Sequence, residues 1–179
     1  MITGPYGQAR MAQATEADLP GVIALFDEAV AWLVGMGISG QWGTTPFSEL
    51  PAMRVRFDEW IAEGTLFIAR VDGAPAGTVV LSERIPGYAL HVLPRFPEDA
   101  FYLEAFTTSR ALAGRGVGRD LLRWTEDYAV AKGKRAIWLD CWADNSALVA
   151  YYTGAGFVPR REFMVGNWRG VLFYKSLST

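Results

Sequence analysis

Hydrophobic residues near the start of the chain recur every three to four positions, which predicts an amphipathic helix. The apolar positions from Val22 to Leu33 follow this spacing, and Gly35 ends it. The segment from Thr15 to Asp18 predicts a helix cap followed by two acidic residues in the first turn. The pattern therefore predicts a capped first helix.

A second helix is predicted from Ser48 to Gly64 on the same spacing. Beyond it the pattern changes to short apolar runs bounded by turn residues, which are typical of strands. Two such runs, residues 65–71 and 77–82, flank Asp72-Gly73, a strong turn signal, so a hairpin is predicted. Residues 84–99 contain several prolines and no clear period, and irregular segments of this length are often functional.

The second half of the chain alternates strands with helices. The predicted elements are a strand over 101–108, a helix from near Val117 to Ala131, a strand over 136–141, a helix from about Asn145 to Thr153, and two strands over 157–163 and 170–177. A short strand near residues 9–14 precedes the first helix. The β-α-β unit in the middle predicts a parallel pair with a right-handed crossover, whereas the hairpins predict antiparallel neighbours. We therefore expect an α/β (α+β) fold with a mixed sheet.

Length and composition limit the class of protein. At 179 residues, a single domain over 1–179 is expected. Hydrophobic residues make up 51% and charged residues 20%, which excludes a disordered or fibrous chain. The net charge of −2 argues against nucleic acid as a partner. The longest apolar run, residues 29–38, is too short to cross a membrane, and no membrane partner is expected.

The single cysteine and the single histidine carry little chemistry of their own. Cys141 lies inside an apolar strand, which favours a buried structural thiol over a nucleophile. One cysteine cannot form an intrachain disulfide and suits a reducing compartment, so a cytoplasmic location is expected. Without a Cys/His cluster around His91 there is no basis for a metal site.

A glycine-rich segment, Gly114 to Arg119, opens the third helix. A turn at a helix N-terminus presents unpaired backbone N–H groups with added dipole charge, and glycines let an anion approach them closely. This arrangement predicts a receptor for a phosphate or diphosphate. Four arginines flank the segment and either complement such a ligand or form a solvated helix end; they are Arg110, Arg115, Arg119 and Arg123.

Two phosphate-binding motifs fit the segment poorly. A dinucleotide motif needs Gly-x-Gly-x-x-Gly directly after a strand, but Arg119 takes the place of the third glycine, although Asp140 could serve as the distal acid. A triphosphate loop needs Gly-Lys-Ser/Thr, and both the lysine and the hydroxyl are missing here. Coenzyme A fits better.

Two motifs resemble the GNAT superfamily of acyl-CoA-dependent N-acetyltransferases. Its signature, Gln/Arg-x-x-Gly-x-Gly/Ala, lies between a strand and a helix; Gly116 and Gly118 match its glycines, and Ala113 takes the place of its first residue. Downstream, the block from Asn145 to Phe157 is similar to a family pattern of Asn, Ala, Tyr and a closing Gly-Phe. The resemblance covers residues 9–177 in element order and 101–158 in motif detail.

The resemblance implies a mixed, mostly antiparallel central sheet of about seven strands with a splayed parallel pair, flanked by about four helices. It implies acetyl-CoA as co-substrate, with no metal, in the V-shaped gap where strand 101–107 splays from strand 136–141. The amides of the pantetheine arm would then satisfy backbone groups that the splay leaves unpaired. The residues implied for this binding are Phe106, Thr107, Thr108, Gly114, Arg115, Gly116, Val117, Gly118, Arg119 and Asn145.

Tyr152 and Glu104 are the candidate catalytic residues. Asn145 and Tyr152 lie seven residues apart, on one helical face, and the resemblance places the Tyr152 hydroxyl near the thioester sulfur, where it could protonate or hydrogen-bond the thiolate. Core packing is the alternative for Tyr152, and Tyr151 is the second choice. Glu104 is the only charge in the apolar strand 101–106, which suggests a base for the acceptor amine or an ion pair with an arginine.

The sequence predicts an N-acetyltransferase that moves the acetyl group to a primary amine by direct attack in a ternary complex. The acceptor is a small-molecule or peptide amine, and a homodimer is left open. A non-catalytic acyl-CoA-binding regulatory module is the alternative. The acceptor site is expected among the first two helices, the 84–99 segment and the C-terminal hairpin; its candidate lining residues are Trp32, Trp42, Phe47, Tyr88, His91, Phe96 and Trp168.

Overall fold

The computed structural model describes residues 5–177 of the chain. These residues form two compact units: the first contains residues 5–81 and 105–125, and the second contains 82–104 and 126–177. The divisions fall inside two strands and one helix, so each of these three elements contributes residues to both units. The single domain predicted over 1–179 stays a prediction.

Eight strands and four α-helices make up the described chain. The strands are β1 (Pro5–Tyr6), β2 (Ala9–Gln13), β3 (Leu66–Val71), β4 (Ala74–Ser82), β5 (Ala100–Thr108), β6 (Ala136–Trp142), β7 (Val158–Val165) and β8 (Trp168–Ser176). The helices are α1 (Leu19–Gly35), α2 (Pro51–Ala62), α3 (Val117–Ala131) and α4 (Ser146–Gly154).

The first unit contains an antiparallel meander in the order β1-β2-β3-β4, followed by the second half of β5. The predicted hairpin between β3 and β4 is confirmed. Its turn residues Asp72 and Gly73 have φ values of 51° and 83°, the left-handed conformation that a tight hairpin turn requires. Beside β4, the amide of Ser109 donates to the carbonyl of Ala76 at 2.9 Å.

Helices α1 and α2 bury their apolar faces in the core of the first unit. Val22, Phe26 and Val30 of α1 pack with Phe57 and Trp60 of α2 around the β3–β4 hairpin. The spacing of these residues was the signal for both helices.

The ends of these two helices were predicted with unequal success. Thr15 is a cap, since its amide and hydroxyl both donate to the Asp18 carboxylate, at 2.8 and 2.9 Å. The element it caps is a separate 3-10 turn, Glu16–Asp18, and α1 begins only at Leu19, so the predicted acidic residues are not in the first turn of α1. The start of α2 was predicted three residues early. Ser48 lies in a separate 3-10 turn, and Leu50 is extended before Pro51, a proline that suits the first turn of a helix.

The second unit contains the first half of β5 and the order β5-β6-β8-β7. β5 and β6 are parallel, from Ala100 opposite Ala136 to Leu103 opposite Leu139, whereas β8 pairs antiparallel with both β6 and β7. The prediction of a mixed, mostly antiparallel sheet with one parallel pair and four helices is confirmed. The sheet has eight strands rather than about seven, because β1 is only two residues long and its sequence shows no strand pattern.

The strands of the second unit present different side chains on their two faces. Tyr102, Trp138 and Asp140 share one face, because Tyr102 lies opposite Trp138 and alternate residues of a strand point the same way. Ile85, Ala89 and Val92, from the segment between β4 and β5, cluster with Tyr102 on this face. The other face carries Phe101, Leu139, Cys141 and Phe173, and the ring of Tyr128 in α3 stacks on Phe101 at 6.1 Å.

No α-helix within residues 5–177 is both long enough and apolar enough to cross a membrane.

Candidate active site

The glycine turn of the first unit adopts a conformation open to glycine and strained for other residues. Gly114 and Gly116 have φ values of 78° and 84°, and α3 begins at Val117. The amide of Asp120 donates to the Gly116 carbonyl at 3.0 Å, which begins the helical hydrogen-bond series. The amides before it, in the first turn of α3, have no acceptor within the helix. The turn therefore offers N–H groups to an anion.

Three of the four arginines around this turn lie in different surroundings. Arg115 donates to the side chain of Gln8, in the turn between β1 and β2. A Cβ placed on Gly116 would stand 2.9 Å from Nη2 of Arg119, so the Arg119 guanidinium lies against the turn itself. Arg110 instead places its guanidinium carbon 4.0 Å from the ring centroid of Trp32 in α1. The predicted basic cluster is thus divided, with Arg115 and Arg119 at the turn and Arg110 against α1.

β5 becomes less buried after its parallel pairing with β6 ends at Leu103. Residues 100–103 are buried, whereas 104–106 are half-buried. Ala105 has a φ of 53°, rare for a residue with a side chain, and its carbonyl accepts the Thr78 hydroxyl at 2.9 Å. A left-handed residue inside a strand bends the backbone and interrupts regular pairing.

The predicted pantetheine-binding residues, Phe106 to Thr108, lie just beyond this bend. Thr107 is buried, and a Cβ on Gly77 of β4 would come within 2.9 Å of its carbonyl oxygen. Glycine at position 77 therefore permits a close approach between the two backbones in the first unit. The first unit brings together Phe106–Thr108 and Gly114–Arg119, and the second unit holds Asn145, Tyr152 and Glu104.

Tyr152 of α4 is buried on the Cys141 face of the second unit. Its ring lies 5.9 Å from that of Phe157 and 6.0 Å from that of Phe173. Burial, with smaller contributions from Cys141 and neighbouring acidic groups, holds the pKa of the Tyr152 phenol well above its usual value. The phenol therefore stays protonated as a hydrogen-bond donor, and its packing also fits the core role considered for it.

Asn145 stands at the N-cap of α4. Its side-chain oxygen accepts the Leu148 amide at 3.1 Å, a capping bond that fixes the start of the helix carrying Tyr152.

Asp140 forms a hydrogen-bonded cluster with two phenols on the opposite face. The Tyr88 hydroxyl donates to Oδ1 of Asp140 at 3.0 Å, and the Tyr102 hydroxyl donates to the same oxygen. Burial raises the pKa of Asp140, although the two phenolic hydrogen bonds oppose the rise. Burial, and then the nearby Asp140 carboxylate, raise the pKa of Tyr102 well above its usual range. A carboxyl with a raised pKa is a stronger base than an ordinary aspartate.

Glu104 belongs to the same side of the second unit. It lies two residues after Tyr102, and its charge contributes to the raised pKa of the Tyr102 phenol. Two acidic side chains, Glu104 and Asp140, therefore both raise the pKa of one buried phenol. Glu104 was predicted from the sequence as the candidate base, whereas Asp140 was considered only as the distal acid of a dinucleotide motif. The same signal, a lone charge within an apolar strand, was present in residues 136–141.

The aromatic residues proposed for the acceptor site divide into two groups. Tyr88 and Trp32 contact charged side chains, Asp140 and Arg110 respectively. The others pack against rings: Trp42 and Phe47 against Phe26, His91 and Trp168 against Phe163, and Phe96 against Tyr102. Packing is therefore the visible role of five of these seven side chains.

No group of three or more His, Cys, Asp or Glu side chains in the described part of the chain is arranged to hold a metal ion. Cys141 is buried, and desolvation followed by the Asp140 charge raises the pKa of its thiol to about 12. A thiol with so high a pKa is a poor nucleophile at neutral pH.

Comparison with known proteins identifies the class to which this fold and turn belong. The family model described as acetyltransferase (GNAT) family matches residues 24–157, which include β5, the glycine turn and α4. The chain belongs to the GNAT family of acetyltransferases, and the resemblance seen in the sequence is confirmed.

One curated relative matches part of the chain. The uncharacterized N-acetyltransferase YesJ of Bacillus subtilis (strain 168) is 37% identical over 82 residues, which are 45% of this chain and 43% of that protein. The match thus spans less than half of this curated relative.

Two solved structures show the shared fold over nearly the whole chain. One is yncA of Salmonella typhimurium, solved with its cofactor acetyl-CoA: TM-score 0.65, 16% identity, 96% of this chain and 95% of that chain covered. The other is a ribosomal-protein-alanine N-acetyltransferase from Brucella melitensis: TM-score 0.67, 21% identity, 93% of this chain and 99% of that chain covered. At these identities, the likeness is one of fold.

Proposed function

We propose that the protein is an N-acetyltransferase that moves the acetyl group of acetyl-CoA to a primary amine by direct attack in a ternary complex. The observation that carries this proposal is the glycine turn at the N-terminus of α3, inside the region that matches the acetyltransferase family. The turn has the amides and left-handed glycines that a diphosphate needs. Acetyl-CoA supplies a thioester, whose thiol is a fair leaving group.

The residues proposed to hold acetyl-CoA are those of the turn and of the end of β5. The amides of the segment 114–119 bind the diphosphate, except that of Arg115, which already donates to the Leu112 carbonyl at 3.1 Å; the side chains of Arg115 and Arg119 add positive charge. The backbone of Phe106, Thr107 and Thr108 bonds the pantetheine amides. Asn145 contributes through α4, whose first turn it caps. The bend at Ala105 supports this assignment, because it interrupts regular strand pairing just before these residues.

The acceptor amine must lose a proton before it attacks. For a lysine-like amine of pKa about 10.4, deprotonation at pH 7 costs about 4–5 kcal/mol. Glu104 is proposed as the base, as the sequence suggested. Asp140 is a second candidate, because its burial raises its pKa and two phenols hold it in place. Either carboxylate lies on the Tyr102 face of the second unit, where negative charge attracts an ammonium group.

The transfer joins the amine nitrogen to the thioester carbonyl carbon and breaks the carbon–sulfur bond. Of the two protons that the ammonium loses, one goes to the carboxylate base and later to solvent, and the other ends on the thiolate. We assign Tyr152 as hydrogen-bond donor to the departing sulfur. Its raised pKa argues for donation of a hydrogen bond rather than complete transfer of its proton.

Small-molecule amines and peptide amines are both proposed as acceptors. One relative in fold is named for the alanine of a ribosomal protein, which is a peptide amine. The side of the second unit that carries Glu104, Asp140 and the exposed Tyr88 is proposed to receive either class. A cytoplasmic location and a single domain are proposed with this function. The single, buried thiol of Cys141 supports the first, and the two strands and one helix that contribute residues to both units support the second.

A non-catalytic acyl-CoA-binding module is the competing function, and Ala113 at the first position of the family signature favours it. Purified protein is mixed with acetyl-CoA and a panel of amines, and free thiol is measured. Thiol release that requires both protein and amine supports the enzyme. Tight acetyl-CoA binding with no release from any amine supports the module.

A further inference from the structure

The segment that leads from β5 into the glycine turn, residues 109–116, is held from the side by α1. The segment and α1 both belong to the first unit. The segment contains the 3-10 turn Arg110–Leu112 and ends at Gly116, directly before α3. The amides proposed to bind the diphosphate therefore depend on how this segment is fixed.

Glu28 of α1 binds two residues of this segment through one carboxylate oxygen. Its Oε1 accepts the Ala111 amide at 3.3 Å and the Ser109 hydroxyl at 3.5 Å. A carboxylate that accepts an amide makes a charge-assisted hydrogen bond, which is stronger than a bond between neutral groups. Glu28 therefore fixes the backbone of the segment just after β5.

Trp32 holds the residue that lies between these two. It follows Glu28 by four residues and so shares its helical face. The guanidinium carbon of Arg110 lies 4.0 Å from the centroid of the Trp32 ring, which is the distance of a stacked cation. The Nε–H group of Arg110 is buried and meets no acceptor within residues 5–177. The ring is therefore the contact that restrains this side chain.

Backbone hydrogen bonds carry this restraint from residues 109–111 to the glycine turn. The amides of Leu112, Ala113 and Arg115 each donate to the carbonyl three residues earlier, at 3.2, 3.1 and 3.1 Å. The last of these donors is next to Gly116, whose own carbonyl accepts the first helical bond of α3. A shift of the anchored residues would therefore displace the turn.

The segment has few restraints from its own side chains. Gly114 and Gly116 have none, and Ala113 stands where the family signature has Gln or Arg, so its methyl group can form no hydrogen bond. Glycine also loses more conformational freedom on ordering than any other residue. A ligand that binds backbone amides binds more weakly when it must first order them. Anchors supplied by α1 would raise affinity by ordering these amides in advance.

We propose that Glu28 and Trp32 are positioning residues for acetyl-CoA, which hold residues 109–111 so that the amides of the glycine turn are ordered before the diphosphate binds. This inference rests on the proposed acetyltransferase function. It gives α1 a role in donor binding that needs no contact with the donor.

The first test compares Glu28→Ala with Asp27→Ala. The Asp27 carboxylate also accepts a backbone amide, that of Ser48 at 3.1 Å, but Ser48 belongs to the 3-10 turn before α2. Only Glu28→Ala should weaken coenzyme A binding, by about tenfold in calorimetry, while pantetheine, which lacks the diphosphate, should bind both variants as it binds the wild type. Glu28→Gln, whose amide oxygen can still accept the Ala111 amide, should recover most of the affinity.

The second test concerns the stacked pair. Trp32→Ala should lower coenzyme A affinity by a similar factor, and Trp32→Phe, which keeps an aromatic face for the guanidinium, should lower it less. In an Arg110→Ala background, Trp32→Ala should have little further effect, because its partner is already gone. The same additional loss in both backgrounds would contradict the role assigned to the stacking contact.

Hydrogen–deuterium exchange in the free protein separates this inference from the proposed function. The amides of Ala113 and Arg115 should exchange about tenfold faster in Glu28→Ala and Trp32→Ala than in Asp27→Ala, because their local hydrogen bonds open more often. Unchanged exchange of these amides, or equal coenzyme A affinity in Glu28→Ala and Asp27→Ala, would overturn the inference. If the wild type bound no coenzyme A, the proposed function would fail, whereas exchange would still decide whether α1 orders the turn.

Discussion

Replacing Gly116 with alanine tests the phosphate-binding turn at its most constrained residue. The position has a φ of 84°, a conformation that costs an alanine about 1–2 kcal/mol. The new Cβ would stand 2.9 Å from Nη2 of Arg119, and this flexible end can swing away. Against a typical total stability of about 5–15 kcal/mol, the variant should remain folded. The methyl group and the displaced arginine should instead weaken diphosphate binding.

Gly133→Ala is the matched control. Gly133 follows α3 with a φ of 75°, and a Cβ there meets nothing within 4 Å. Both variants should lose about 1–2 kcal/mol of unfolding free energy in urea titrations. Only Gly116→Ala should lose acetyl-CoA affinity, by about tenfold or more in calorimetry, equivalent to about 1.4 kcal/mol, or one charge-assisted hydrogen bond. Equal acetyl-CoA affinity in the two variants would remove the turn from the binding site.

Further predictions concern the second unit. Tyr152→Phe should lower kcat by about tenfold or more while acetyl-CoA affinity changes little, with Tyr151→Phe as control; unchanged turnover would reduce Tyr152 to a packing role. Asp140→Asn should change stability with pH. Because burial raises the pKa of Asp140, the folded wild type binds its proton more tightly than the unfolded chain and loses stability as pH rises through that range. Between pH 4 and pH 7, the unfolding free energy from urea titrations should fall less in the variant than in the wild type. An identical fall in both proteins would contradict the assigned burial cost of Asp140. Cys141, the only cysteine, should stay unmodified by thiol reagents at pH 8 until the protein unfolds, because its pKa is about 12; rapid labelling of the folded protein would refute this.

Much of the fold could be predicted because local signals and tertiary packing agree. Asp72-Gly73 predicted its hairpin, since both residues take left-handed conformations that suit aspartate and glycine. Asn145 and Gly116 marked the two helix starts that matter for the site. The start of α2 was predicted at Ser48 because serine is a common N-cap residue. α2 begins instead at Pro51, because the residue before a proline is disfavoured in the helical conformation and Leu50 is extended.

Contacts between distant elements, including those proposed for the acceptor side, could not be predicted from the sequence. Tyr102 and Asp140 are 38 residues apart and meet because β5 and β6 pair in a particular register. Arg110 and Trp32 likewise meet only through the packing of α1 beside the end of β5. Sequence spacing predicts partners within one helix or hairpin, but partners on different elements depend on register and helix placement.

Hydrogen–deuterium exchange tests the central claim, diphosphate binding by the amides of the glycine turn, most directly. Exchange of residues 114–120 is followed in the free protein, with coenzyme A, and with pantetheine, which has the same arm and no diphosphate. We predict that coenzyme A slows exchange in this segment and that pantetheine at equal saturation does not. Unchanged exchange with saturating coenzyme A, or equal protection by pantetheine, would contradict the claim.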